Sequence, residues 1–246
     1  MERNDRAGVA TFLVDAGVPA FGVARLSERA AHHARVRRLA VGDRVWLTDG
    51  AGTRANAELT VVGQNQLEAR VLQVETVDRP RAIHLLAPIA DRDRMLWLAE
   101  KVTELGIASW QAVRFRRSAS VSPRGEGAAF GAKLQARVVS ALEQSGGTWL
   151  PEILGEVEPD EIQMPPGAAA FVLDKAGTPI LPELATTIGD LAIVLGPEGG
   201  IEPDEAELLA ARGWRSVRLA PTTLRFETAG IAAVAIARAS TLTEVA

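Results

Sequence analysis

Leu191-Ala192-Ile193-Val194-Leu195-Gly196-Pro197-Glu198-Gly199-Gly200 is the stretch on which the fold turns. Five apolar residues in a row, two of them β-branched, suit a strand buried on both faces. The glycines that follow let main-chain amides and carbonyls come close to a ligand. Beyond them Pro203 stands where a first helical residue belongs, with Asp204, Glu205 and Glu207 near the positive helix end and Gly213 as the stop. Strand, glycine loop and helix in that order form one unit of an α/β fold. A loop at the carboxyl edge of such a sheet is where ligands bind.

Working outward, the same alternation repeats. Ile83 to Ile89 and Ala169 to Leu173 read as buried strands and Trp110 to Phe115 as a further strand. Met95, Leu98, Val102 and Leu105 follow helical spacing up to Gly106, and Ala128 to Ser145 reads as a helix. Strand Trp214 to Leu219 runs through a second loop, Leu219 to Leu224, into a last helix of about Arg225 to Ser240. That helix is apolar nearly all round and is expected to be buried in the core or against a second subunit. Alternating strands and helices predict a parallel sheet.

Ahead of this region, Phe21 to Val77 reads as short strands of a small antiparallel barrel. Asp49-Gly50-Ala51-Gly52 supplies a hairpin turn, and Ala55, Ala57 and Leu59 alternate with Arg54, Asn56 and Glu58. Val77-Asp78-Arg79-Pro80 reads as the linker. Two domains are expected, residues 1–77 and 78–246.

The net charge of −4 conceals an asymmetry. Arg25, Arg29, Arg35, Arg37, Arg38 and Arg44 face only Glu28 and Asp43 in their stretch, and Arg114, Arg116, Arg117 and Arg124 form a second cluster. From Pro151 to Glu207 the single base Lys175 stands against thirteen acids. The front of the chain is suited to a polyanion and the back is not. Without cysteine, disulfides, thiolate nucleophiles and zinc ribbons are excluded, and three histidines offer little to a metal. The start Met1-Glu2-Arg3-Asn4-Asp5 has no apolar h-region, and no apolar run reaches the ~18 residues of a span. A cytoplasmic protein without a transition metal is expected.

The motif Leu195 to Gly200 with Glu205, then Leu224-Arg225-Phe226-Glu227-Thr228-Ala229, with Lys101-Val102-Thr103-Glu104-Leu105-Gly106 and Glu143-Gln144-Ser145 upstream, resembles the RsmE-type 16S ribosomal RNA (uridine-N3) methyltransferases of the SPOUT class. The resemblance covers nearly the whole chain. It implies a PUA-like barrel, a trefoil-knotted methyltransferase domain, a homodimer and S-adenosyl-L-methionine as cofactor. Leu195, Gly196, Pro197, Glu198, Gly199, Gly200, Leu219, Ala220, Thr223 and Leu224 are its cofactor contacts on that reading, and 16S rRNA, within the small ribosomal subunit, is the partner.

Arg225 is the residue expected to offset charge on a uracil carbonyl, and Glu227 or a water to take the N3 proton. The plainer readings are an Arg225 that pairs with an acid to hold its loop, and a threonine N-cap with Glu227 in the first turn. Arg25, Arg35, Arg37, Arg38, Arg116 and Arg117 are the phosphate-contact candidates. Trp46 is read as a barrel-core residue in preference to a base-stacking one, and Lys101 with Glu104 as a solvated face. Two positions depart from the family pattern: Ala220 stands where glycine is usual, and Gly146-Gly147 replaces a stretch that usually holds arginine.

No Gly-Lys-Ser/Thr follows the glycine loop and no G-x-G-x-x-G follows a strand, which argues against a P-loop protein and against a dinucleotide-dependent oxidoreductase. Asn4, Asn56 and Asn65 do not supply the Asn-x-Gly-x-x-x-Arg motif of a ribose 2′-O-methyltransferase. A non-catalytic RNA-binding or ribosome-assembly protein of the same fold is the remaining alternative.

Overall fold

The computed structural model describes residues 10–118 and 123–241. The chain divides into two compact units. One holds the described residues up to Arg79 together with Val139–Leu150, and the other holds Pro80–Val138 and the described residues from Pro151 onward. The chain leaves the first unit at Arg79/Pro80, two residues past the division expected from sequence. The return of 139–150 to the first unit has no counterpart in the sequence reading.

The first unit contains β1 (Thr11–Leu13), β2 (Val23–Leu26), α1 (Glu28–Val36), β3 (Arg44–Thr48), β4 (Thr53–Val62) and β5 (Leu67–Thr76). Its five-stranded sheet has the order β1-β3-β4-β5-β2. β1 runs parallel to β3, and the other pairs are antiparallel. Period-2 alternation buries Ala55, Ala57, Leu59, Leu67 and Ala69 while their neighbours face outward. Two register shifts in the β4–β5 pair add twist.

The expectation of strands throughout Phe21 to Val77 is corrected by α1. Ser27 caps it by accepting from the Ala30 amide at 3.3 Å, and Ala30, Ala31 and Ala34 are its buried stripe. Trp46 is also corrected. Val45 and Leu47 are fully buried, so strand alternation turns Trp46 outward, half-buried beneath the Arg54 guanidinium at 4.7 Å.

Helix α3 (Gly127–Ser145) brings Glu143 into this unit. Glu143 is buried. It accepts from the Leu13 amide at 3.0 Å and from both terminal nitrogens of Arg29 at 2.8 and 2.9 Å. The helix ends at Gly146, whose φ of 72° is the left-handed conformation a C′ residue needs, and the Gly147 amide returns to the Leu142 carbonyl at 3.0 Å. Gly146-Gly147 thus has a local structural role as a helix stop.

The second unit carries β6 (Ile83–Pro88), α2 (Arg92–Glu104), β7 (Ser109–Val113), the first part of α3, β8 (Glu152–Ile153), β9 (Ala169–Pro179), α4 (Ile180–Ala185), β10 (Leu191–Val194), α5 (Pro203–Ala211), β11 (Arg215–Arg218) and α6 (Phe226–Ala239). Its six-stranded sheet has the order β11-β9-β10-β6-β7-β8, and every pair is parallel. β10 is wholly buried, as its unbroken apolar run predicts. α6 packs on α2 and β6, and its buried Phe226, Gly230, Ala233, Val234 and Ala237 form one stripe at helical spacing. Its other face, including Ile231, Ala232, Ala235 and Ile236, is only half-covered. Near its end Arg238 donates to the Leu105 carbonyl at 3.2 Å and the Arg81 carbonyl at 3.0 Å, and burial holds its pKa below the usual arginine value.

Candidate active site

The carboxyl ends of β9, β10 and β11 open into one cavity of about 670 Å³. The backbone leaves β10 at Leu195, whose amide still bonds the Leu86 carbonyl at 2.9 Å, and then turns. Gly200 closes the turn with φ 77° and an amide bond of 2.8 Å to the Pro197 carbonyl. α5 begins at once: Glu202 is its N-cap, Pro203 its first residue, and the Glu202 amide bonds the Glu205 carboxylate at 3.0 Å in a capping box. The second wall is the loop leaving β11, and α6 supplies Phe226 and Ala229.

All ten residues expected to touch a cofactor line this cavity: Leu195, Gly196, Pro197, Glu198, Gly199, Gly200, Leu219, Ala220, Thr223 and Leu224. Ala220 is no strained substitute, because among the described residues Arg38 is the one non-glycine with positive φ. The lining combines apolar walls (Val172, Ile201, Trp214) with carboxylates of Asp174 and Glu207 and the cations Lys175 and Arg218. Such a set accepts a flat apolar group and a zwitterion together. The pieces of S-adenosylmethionine have that chemistry: an aromatic base, a sulfonium, an ammonium and a carboxylate. Sequence reasoning missed the contribution of Asp174 and Lys175, which β9 carries beyond the Leu173 end expected for it.

Arg225 and Glu227 alternate with the cavity residues Leu224 and Phe226 at the start of α6. Arg225 itself is the N-cap, exposed and without a side-chain capping bond, so the threonine cap is corrected. No ion pair of Arg225 exists among the described residues, so pairing with an acid does not explain it. Glu227 is buried and its Oε2 has no hydrogen-bond partner. A buried carboxylate oxygen left unmatched costs about 1–3 kcal/mol and calls for a partner.

The phosphate candidates separate into two groups. Arg35, Arg37 and Arg38 are exposed together at the end of α1, and Arg25 sits on the sheet edge with Glu68 at 3.2 Å. Arg116 and Arg117 are instead engaged within their own unit. Arg116 pairs with Asp204, and its amide bonds Glu205 at 3.0 Å. Arg117 grips Glu202 at 2.8 and 2.9 Å and donates to the Gly199 carbonyl at 2.8 Å. The acids come from α5, some 85 residues on in sequence, so a local charge count could not see them. Arg117 is therefore a brace on the glycine loop. Lys101 bonds Glu100 and Glu104, both at 2.8 Å, which is the solvated face expected of it. Among the described residues no cluster could hold a metal and no helix is long and apolar enough to cross a membrane.

A family model described as an RNA methyltransferase domain matches residues 77–238, and one described as an RNA methyltransferase PUA domain matches 26–72. The sheet unit and the cavity-bearing parallel sheet therefore define a PUA-containing RNA methyltransferase. Among curated relatives, the ribosomal RNA small subunit methyltransferase E of Mycobacterium bovis is 33% identical over 225 residues, covering 86% of this chain and 83% of that protein. The Aquifex aeolicus protein of the same name is 27% identical, covering 68% and 72%. The Neisseria gonorrhoeae ribosomal RNA small subunit methyltransferase E, solved bound to S-adenosyl methionine, superposes with a TM-score of 0.83 at 29% identity over 92% of this chain and 95% of that one. A Legionella pneumophila methyltransferase solved with the cofactor SAM gives 0.84 at 26% identity over 96% and 98%. The chain belongs to the ribosomal RNA small subunit methyltransferase E family.

Proposed function

We propose that the protein transfers a methyl group from S-adenosylmethionine to N3 of a uridine in 16S rRNA, within the small ribosomal subunit. The observation that carries this is the cavity at the carboxyl edge, lined by both motif loops and followed directly along the chain by Arg225 and by Glu227, which is buried with an unpartnered Oε2. The named relatives act on small-subunit ribosomal RNA, and two solved neighbours hold the cofactor.

S-adenosylmethionine, when bound, supplies an electrophilic methyl on a sulfonium. Residues 195–200 and 219–224 would hold it, with Asp174, Glu207, Lys175 and Arg218 on the cavity wall for its charged ends. The uracil N3 carries a proton that must leave as the N–C bond forms. Glu227 takes that proton, and Arg225 offsets the negative charge that develops on the neighbouring carbonyl oxygens. Positioning contributes much of the remaining acceleration. The N3 edge must be unpaired to be reached, which favours a splayed-out base in folded RNA. The half-covered apolar face of α6 supports a homodimer, and a trefoil knot and a cytoplasmic location go with the same reading.

The deciding experiment is methylation of naked 16S RNA and of small subunits lacking the modification, followed by nucleoside analysis. N3-methyluridine is expected, and a 2′-O-methyl or C5-methyl product overturns the assignment. Arg225→Ala is expected to lower turnover about 10²-fold or more, as removal of an oxyanion-stabilising donor does. Calorimetry separates this reading from a non-catalytic RNA-binding protein, for which S-adenosylmethionine gives no heat.

A further inference from the structure

The first unit has a cavity of its own, about 290 Å³, that the methyltransferase chemistry does not use. Trp46 and Arg54 form one wall, Thr11 and Thr48 lie beside them, Arg37 stands at the end of α1, and the turn from Glu143 to Thr148 closes it. Trp46 is a large, half-buried aromatic on the outward face of β3. The register explains how it is held. Trp46 lies opposite Asn56, and Arg54 is two residues along β4, the diagonal position from which a long side chain reaches across. The guanidinium then lies over the indole at 4.7 Å while its Nε is paired with the Glu75 carboxylate, giving a flat, partly desolvated shelf whose planes are held in place. Glu143 does not oppose an anion here, because Arg29 already holds both its oxygens. The exposed Gln144 amide and the main chain of 144–148 offer hydrogen-bonding edges, and Arg35 and Arg38 extend the positive charge outward.

We infer that this cavity takes one unpaired nucleotide of the RNA substrate. The base stacks on the Arg54–Trp46 shelf, and the phosphate on its chain meets Arg37. Both halves follow how single-stranded RNA is held: stacking on aromatic or guanidinium planes, and a cation on the backbone. The volume suits a single base in place of an extended ligand, since it lies at the bottom of the range for small-molecule sites. The inference rests on the RNA-methyltransferase reading for its choice of ligand, but places a second anchoring point on the first unit, in a cavity that shares no lining residue with that of the second.

The test is binding of in vitro transcribed 16S RNA by the full chain, with Trp46→Ala, Trp46→Phe, Arg37→Ala and Gln144→Ala. Trp46→Ala is expected to weaken RNA binding roughly tenfold, with Trp46→Phe retaining most of the affinity. Arg37→Ala is expected to lower the slope of log affinity against log salt by about 0.7, one phosphate contact on a single strand. S-adenosylmethionine affinity is expected to be the same in all four, and the loss in methylation to fall on KM for RNA. Wild-type affinity and salt slope in both Trp46→Ala and Arg37→Ala overturn the proposal. So does photocrosslinking of 4-thiouridine RNA that never reaches residues 44–54. If Trp46→Ala does not fold, Arg37→Ala and the crosslink decide alone. A wild-type protein that binds RNA yet makes no methylated nucleoside refutes the proposed activity and leaves this binding test intact.

Discussion

Gly230→Ala sets two known effects against each other. In an exposed helix the change stabilises by about 1 kcal/mol, because alanine is the better helix former. At position 230 the added Cβ lies 2.8 Å from Leu195 Cδ1, 2.8 Å from Leu98 Cδ1 and 3.3 Å from Leu98 Cδ2. Carbon atoms in contact sit about 3.5–4.0 Å apart, so each leucine must move by roughly 0.7–1.2 Å. Neither has room to do so, since Leu98 is 0% and Leu195 1% exposed. Overpacking of this kind costs about 1–3 kcal/mol. The net expectation is a loss of about 1 kcal/mol, or a fall of roughly 2–4 °C in Tm for a chain of this size. Leu195 also lines the cofactor cavity, so S-adenosylmethionine affinity is expected to fall several-fold in the same variant. Adding Leu98→Val removes the two Leu98 Cδ contacts and leaves only that of Leu195, so the double variant is expected to be more stable than the two single effects sum to. Urea denaturation and calorimetry measure all four corners. A Gly230→Ala protein more stable than wild type, with unchanged cofactor affinity, would refute the reasoning: the leucines would then be free to yield and helix propensity would win.

Three further outcomes are expected. Arg38→Gly raises stability by roughly 0.5–1 kcal/mol, because Arg38 has a φ of 56° at the C′ position of α1 where an L-residue is strained and glycine is not; an unchanged urea midpoint counts against it. Glu143→Ala costs about 2–3 kcal/mol, mainly by leaving the buried Leu13 amide without its acceptor, and Glu143→Gln, which can still accept that bond, costs less; equal losses contradict the assignment. His33 has its pKa lowered, first by desolvation and then by the charge of Arg37. The unfolded chain therefore takes up this proton first, near pH ~6.5, so stability is whole above that pH and declines as pH falls toward the folded value. His33→Gln is expected to flatten this part of the urea midpoint against pH, and an identical decline in both proteins rules it out.

What the sequence made legible follows from where each signal lies. The parallel strands are buried on both faces, so Leu191 to Leu195 is an unbroken apolar run and Ile83 to Ile89 one interrupted only by His84 and Pro88. The glycine loop and the start of α5 were equally plain, because capping chemistry is local. α1 was missed although Ser27, Ala30, Ala31 and Ala34 carry its cap and stripe, because Arg25, Arg29, Arg35, Arg37 and Arg38 in and around it make the segment stand out by charge first. Trp46 was misplaced by its size alone; the neighbours Val45 and Leu47 already assigned the inner face of β3. The grouping of 139–150 with the first unit had no local signal. It depends on Glu143 meeting Arg29 and Leu13, more than a hundred residues away in sequence.

The arginines show why charge clusters in a sequence have to be read twice. Arg114, Arg116, Arg117 and Arg124 occur without an acid among them, as Arg35, Arg37 and Arg38 do. Folding brings Glu126, Glu156 and Glu158 to Arg114, Asp204 to Arg116, and Glu202 to Arg117. These partly exposed pairs contribute little stability individually. Their effect is to neutralise a surface beside the cavity and to hold the Gly199 carbonyl through Arg117. The acidic stretch that opposed RNA binding in the chain's second half is thus spent largely on that half's own arginines. The end of α1 carries three exposed arginines on one short segment beside the Trp46 shelf, and there the charge count and the geometry agree on a polyanion.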